Sequence, residues 1–238
     1  MTGLMGAAGR ASVAAAARPQ PAAKDRMHCL AGVLADPRMR LAAGTAVMLV
    51  TAMAARRGRV STWEATAFRA VNDLPDALYP PAWAIMQLGT LGAAPAAAGA
   101  AWLSGERHLA GRLLIGGTAT WALSKLVKRM VRRARPADLL PDTHRRGRDA
   151  TGLGYLSGHA GVAVALGASA LPHLGPAGRA LTLSAIPTVS LTRIYVGAHL
   201  PLDTAGGAAL GLAIDAALAL AHEHARPAPR WRRTSAAG

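Results

Sequence analysis

Residues 193–221 read RIYVGAHLPLDTAGGAALGLAIDAALALA, and this stretch decides the fold. From 203 onward it is an almost unbroken run of Ala, Leu, Gly and Ile, close to the ~20 residues an apolar helix needs to cross a bilayer. Its first part spaces Arg193, His199 and Asp203 six and then four residues apart. Of the eight histidines, only His199 has an aspartate four positions later. Pro201 suits the first turn of a helix, so Asp203 falls in the opening turn of the apolar segment. There its carboxylate can turn back toward the imidazole of His199. A carboxylate bonded to Nδ1–H fixes the tautomer and leaves Nε2 as a nucleophile.

Five further apolar segments precede this one, at about 41–55, 81–103, 109–127, 157–171 and 177–192. Several are shorter than an average span and need flanking residues or local thinning to cross. The expected fold is therefore all-α: a polytopic membrane bundle of about six transmembrane helices. Residues 1–40 read as a disordered basic leader, 41–221 as the transmembrane domain, and 222–238 as a basic cytoplasmic tail. Small residues in 95–101 (PAAAGAA) and 204–211 (TAGGAALG) suit close helix packing. Arg112, near the start of its segment, is expected to snorkel to the interface. Asp215, inside the last segment, is either functional or paired.

Composition narrows the function classes. Hydrophobic residues make up 52% of the 238-residue chain, yet the formal net charge is +15. The basic residues collect in short clusters between apolar runs, as the loops of a membrane protein do. A nucleic-acid binder would spread them over a polar surface, and 4% aromatic residues offer no platform for base stacking. The single cysteine, Cys29, excludes an intramolecular disulfide and a cysteine zinc site. An even number of spans puts both termini inside and the motif-bearing ends outside. Arg56, Arg57 and Arg59 count against that orientation under the positive-inside rule.

Two more motifs converge on the first. Lys128 is followed after six residues by Arg135-Pro136 (KRMVRRARP), and Ser157-Gly158-His159 opens the segment at 157–171. A helix N-terminus presents free N–H groups and a positive dipole end to a phosphate. Ser157 adds a hydroxyl, and Gly158 lets the backbone approach an anion. The segments at 157–171 and 177–192 form a hairpin that returns residues 193–203 to the side of 157–159. The segment at 109–127 ends at Lys128, so all three motifs share one surface.

By these residues the chain resembles the type 2 phosphatidic acid phosphatase superfamily, which also contains bacterial polyprenyl-diphosphate phosphatases and vanadium haloperoxidases. The family pattern is Lys-x6-Arg-Pro, then Pro-Ser-Gly-His, then Ser-Arg-x5-His-x3-Asp. Here Leu156 replaces the proline and Thr192 the second serine; neither position carries charge or proton chemistry. Asn72-Asp73-Leu74-Pro75 also looks like subfamilies of this group. The resemblance covers about 65–221. It implies a membrane phosphatase acting on a phospholipid or polyprenyl phosphate, embedded among membrane lipids and without nucleic acid.

On that resemblance His199 is the nucleophile, forming a phosphohistidine, and Asp203 holds its tautomer. His159 is the general acid and then base, and Lys128, Arg135, Arg193, Ser157 and Gly158 bind the phosphate. No cofactor and no metal is implied. Asp138, Asp142 and Asp149 form no tight metal pattern, and His222-Glu223-His224 reads as a polar helix end. The alternatives are a vanadate-dependent haloperoxidase and a non-catalytic membrane transporter or assembly protein.

Overall fold

The computed structural model describes residues 35–225, and all the regular structure among them is helical. Expectations for residues 1–34 and 226–238 lie outside the described residues. The helices are α1 (Pro37–Arg56), α2 (Thr62–Asn72), α3 (Tyr79–Met86), α4 (Ala93–Leu103), α5 (Arg107–Val131), α6 (Pro136–Leu139), α7 (Gly158–Ala170), α8 (Pro176–Tyr195) and α9 (Pro201–Ala225). The first starts four residues before the expected 41. Asp36 caps it by accepting from the Arg38 N–H, and Pro37 sits where no N–H is needed.

Two of these helices, α1 and α9, are long and apolar enough to cross a membrane. The centre of the bundle is α9, which packs against α1, α5, α7 and α8. Glycine makes its approach to α7 possible. A Cβ at Gly207 would collide with the Ser157 carbonyl, and one at Gly211 with the carbonyl of Gly161. The small residues in 204–211 therefore set how close Asp203 comes to Ser157, whose N–H donates to the Asp203 carbonyl at 2.8 Å. The Ala-rich α4 does the same against α5, burying Ala94, Ala98 and Ala101 on Leu109, Ala110 and Leu113.

Three expectations need correction. The segment at 81–103 is not one helix: α3 runs into a 3₁₀ turn, Gln87–Gly89, and α4 starts only at Ala93. The break has a packing reason, because Gly89 lies against the backbone carbonyl of His159 and has no room for a Cβ. The helix α2 lay outside the six segments; it is amphipathic, and buries Glu64, Phe68 and Asn72. Arg112 does not snorkel. It turns inward to Asp215 at 2.6 Å.

Asp215, fully buried, also takes Arg40 at 2.8 Å and the Ser169 hydroxyl at 2.7 Å. One carboxylate thus ties α1, α5, α7 and α9 together. It stands 12 residues along α9 from Asp203, about 18 Å at 1.5 Å per residue, toward the opposite end of the bundle.

Candidate active site

The motif residues come from five places that packing brings to one end of the bundle. Lys128 lies in the last turn of α5 and Arg135 just before α6. Ser157 and His159 open α7, Arg193 closes α8, and His199 and Asp203 flank the start of α9. His199 is 3% exposed and Asp203 fully buried. Burial holds the His199 pKa well below its ordinary value, and the positive charges of Lys128, Arg193 and Arg135, with His159 beside them, lower it further. The imidazole is therefore neutral, in a cluster of cations.

The cations differ in how they are held. Lys128 donates to the carbonyls of Leu153 and Gly154 at 3.1 and 2.9 Å. Arg135 donates to Ala198 at 2.7 Å and to the carbonyls of Thr151 and Gly152. Arg193 is the least satisfied: Nη1 faces the thioether of Met86, and Nε is buried with no partner among the described residues. A thioether is a weak acceptor, so this guanidinium is the one best prepared for an anion.

The Ser157 hydroxyl caps α7, accepting from the Ala160 N–H at 3.4 Å. Gly158 lies against Ser124. The expected hydrogen bond between Asp203 and His199 is not formed: Oδ2 stands 3.7 Å from Nδ1, which is buried without a partner among the described residues. Both carboxylate oxygens are used elsewhere. Oδ2 accepts the Leu200 N–H at 2.9 Å, and Oδ1 accepts Nη1 of Arg133 at 2.9 Å. Arg133 in turn forms a two-pronged pair with Glu64, at 2.9 and 2.6 Å.

Arg133 and Glu64 were missed by the sequence reading. Arg133 hides in a crowd of arginines, but Glu64 carried a signal: it is the sole carboxylate between 37 and 72. Asn72 also gains a structural meaning. Its amide donates to the carbonyls of His144 and Tyr195 at 2.9 Å and accepts the His144 N–H at 2.8 Å, fastening the 140–156 loop over the end of α8.

Two cavities flank the cluster. An apolar groove of about 760 Å³ runs between α4, α5, α7 and α8, lined by residues such as Ala97, Leu113, Ala163, Ile186 and Val189. Ala163 lies four residues after His159, and Val189 four before Arg193. The groove thus begins about one helical turn below the site. A smaller polar pocket of about 310 Å³, lined by Arg135, Arg145, Arg148 and Asp149 among others, lies beside it. Among the described residues no three His, Cys, Asp or Glu side chains are grouped to hold a metal ion.

The chain shares its fold with a solved transmembrane PAP2-type phosphatidylglycerolphosphate phosphatase from Bacillus subtilis. The match has a TM-score of 0.59 at 17% identity, covering 80% of this chain and 99% of that one. No curated protein matches the sequence. The sequence profile of the PAP2 superfamily matches residues 109–227, which include all three motifs. By that match, which spans half of its length, the chain belongs to the PAP2 superfamily.

Proposed function

We propose that the chain is an integral membrane phosphatase that hydrolyses a lipid phosphate monoester or diphosphate through a phosphohistidine. One observation carries this: Lys128, Arg135, Arg193 and His159 converge on a buried, neutral His199, and an apolar groove begins about one helical turn from them. A phosphate needs the cations, and a lipid tail needs the groove. The outer surface supports a lipid setting, since Val50 and Met53 on α1, Leu103 on α4 and Leu181 on α8 are large, apolar and exposed.

Phosphoryl transfer asks mainly for positioning and charge stabilisation. Nε2 of His199 attacks phosphorus, and the bond to the leaving oxygen breaks as His159 gives that oxygen a proton. Lys128, Arg135 and Arg193 balance the charge on the equatorial oxygens. Neutral His159 then takes a proton from water, which attacks phosphorus and releases phosphate and free His199. Asp203 steadies the imidazolium character that His199 acquires when it carries the phosphoryl group.

The site is assigned to the extracytoplasmic face of the cell membrane, six spans placing both termini inside. Part of the arginine excess on the site side is not free loop charge, which supports this orientation. Arg133 and Arg135 are bonded within the fold, and Arg146 donates to Asp76, Asn72, Leu74 and Tyr195.

Phosphate release from phosphatidate, phosphatidylglycerophosphate and farnesyl diphosphate, with EDTA present, tests the reading. The detergent-purified chain is expected to release phosphate from at least one of them, and orthovanadate to inhibit it. Activity lost to EDTA and restored by magnesium would replace it with a metal-dependent reaction.

A further inference from the structure

The fold seals a row of three charged groups behind the histidine. Glu64 on α2, Arg133 after α5 and Asp203 on α9 are 0%, 2% and 0% exposed, and they lie in a row that ends 3.7 Å from Nδ1 of His199. Arg133 spans the row, giving Nη2 to Glu64 at 2.6 Å and sharing Nη1 between Glu64 and Asp203 at 2.9 Å each. Its Nε is buried with no partner among the described residues. No part of this guanidinium is open to a ligand, unlike that of Arg193.

We propose that Arg133 and Glu64 are positioning residues that aim Asp203 at His199 and set the charge felt by the nucleophile, Arg133 alone holding the carboxylate ionised. This rests on the assignment of His199 above. A carboxylate sealed away from water protonates unless a cation and hydrogen bonds hold its charge. Arg133 supplies the cation. With Oδ1 held by Arg133 and Oδ2 oriented by the Leu200 N–H, the remaining lone pair of Oδ2 is left for Nδ1–H.

Glu64 completes the arithmetic. Glu64, Arg133 and Asp203 sum to one negative charge, which opposes the positive charge His199 gains on taking the phosphoryl group. Without the charge of Glu64 the row sums to zero, and that stabilisation is lost at a site Glu64 does not touch. Glu64 also accepts the Leu202 N–H at 3.2 Å, so the same carboxylate fixes the start of α9 on which Asp203 sits.

The test compares Glu64→Gln, which keeps shape and loses charge, with Glu64→Asp, which keeps charge and loses reach. Arg133→Lys and His199→Ala run beside them. The full chain is assayed in detergent on the three phosphates named above, scored on the one the wild type turns over fastest. Turnover is expressed per vanadate-binding site, so misfolded protein does not count. Glu64→Gln is expected to lower kcat at least tenfold with KM within twofold, Glu64→Asp to retain several times more activity than Glu64→Gln, and Arg133→Lys to keep a measurable fraction. A purely structural role predicts the reverse order for the Glu64 variants; that order, or wild-type kcat per site in Glu64→Gln, overturns the inference. If His199→Ala is inactive while Glu64→Gln is normal, only the inference falls. Wild-type turnover by His199→Ala, or no release from any substrate by the wild type, removes the assignment of His199 and the inference together.

Discussion

Oδ2 of Asp203 stands 3.7 Å from Nδ1 of His199, on the correct side of the ring but beyond hydrogen-bond range. Catalytic hydrogen bonds are commonly long in ligand-free sites and tighten when substrate binds. Nδ1 has no other partner among the described residues, so closing this gap is the movement available to it. Asp203→Asn keeps the shape and removes the charge, and is expected to lower kcat by two to four orders of magnitude. Steady-state phosphate release checks this; a loss under threefold would take Asp203 out of the reaction.

The burial of neutral His199 has a pH signature. Its pKa is held below the ordinary value by burial and then by Lys128, Arg193, Arg135 and His159, while in the unfolded chain it lies near ~6.5. Below that value the unfolded chain binds a proton the folded one refuses, so stability is lost as pH falls from about 6.5. Above it His199 contributes no pH dependence. Thermal unfolding from pH 7.5 to 4.5 is expected to show a shallower decline in His199→Gln than in the wild type. Parallel curves would mean that His199 takes up its proton in the folded state.

Asp215 is expected to matter for the bundle and not for the reaction. Removing it leaves Arg40 and Arg112 without their partner, at side-chain exposures of 16% and 27%. Breaking a fully buried pair costs about 3–5 kcal/mol, and partial exposure puts Asp215→Ala near the lower end, at about 3 kcal/mol. A lower Tm with unchanged kcat per vanadate-binding site is the expected result. Lost turnover at unchanged Tm would give this carboxylate a functional role.

Gly207 tests the packing that joins the motifs. A Cβ there meets the Ser157 carbonyl closer than real Cβ contacts allow, so α7 and α9 must separate. Gly207→Ala is expected to destabilise by about 1–3 kcal/mol and to reduce turnover, because Ser157 and Asp203 are joined across that contact. Wild-type activity and Tm would show that the interface relaxes without moving the site.

The sequence carried the motifs well because their spacing is local. Lys128 to Arg135, Ser157 to His159 and Arg193 to Asp203 each sit at a helix end, and apolar hairpins of similar length bring those ends together. What it did not carry is tertiary. Glu64 and Arg133 are 69 residues apart, and no periodicity signals that a glutamate in the first turn of α2 turns inward. The break at 87–92 depends on Gly89 meeting the His159 backbone, which hydropathy cannot register. Arg112 looked like an interface residue until Asp215, 103 positions later, supplied its partner.

The proposed reaction stands on His199 carrying the phosphoryl group. The direct measurement is to quench turnover in alkaline detergent, where phosphohistidine survives, and to map any phosphoryl group by mass spectrometry in wild type, His159→Ala and His199→Ala. The account predicts a phosphoryl group on His199, enriched in His159→Ala where the second step is slowed, and no modification or turnover in His199→Ala. Phosphate release at the wild-type rate by His199→Ala, or a phosphoryl group on any other residue, would contradict it.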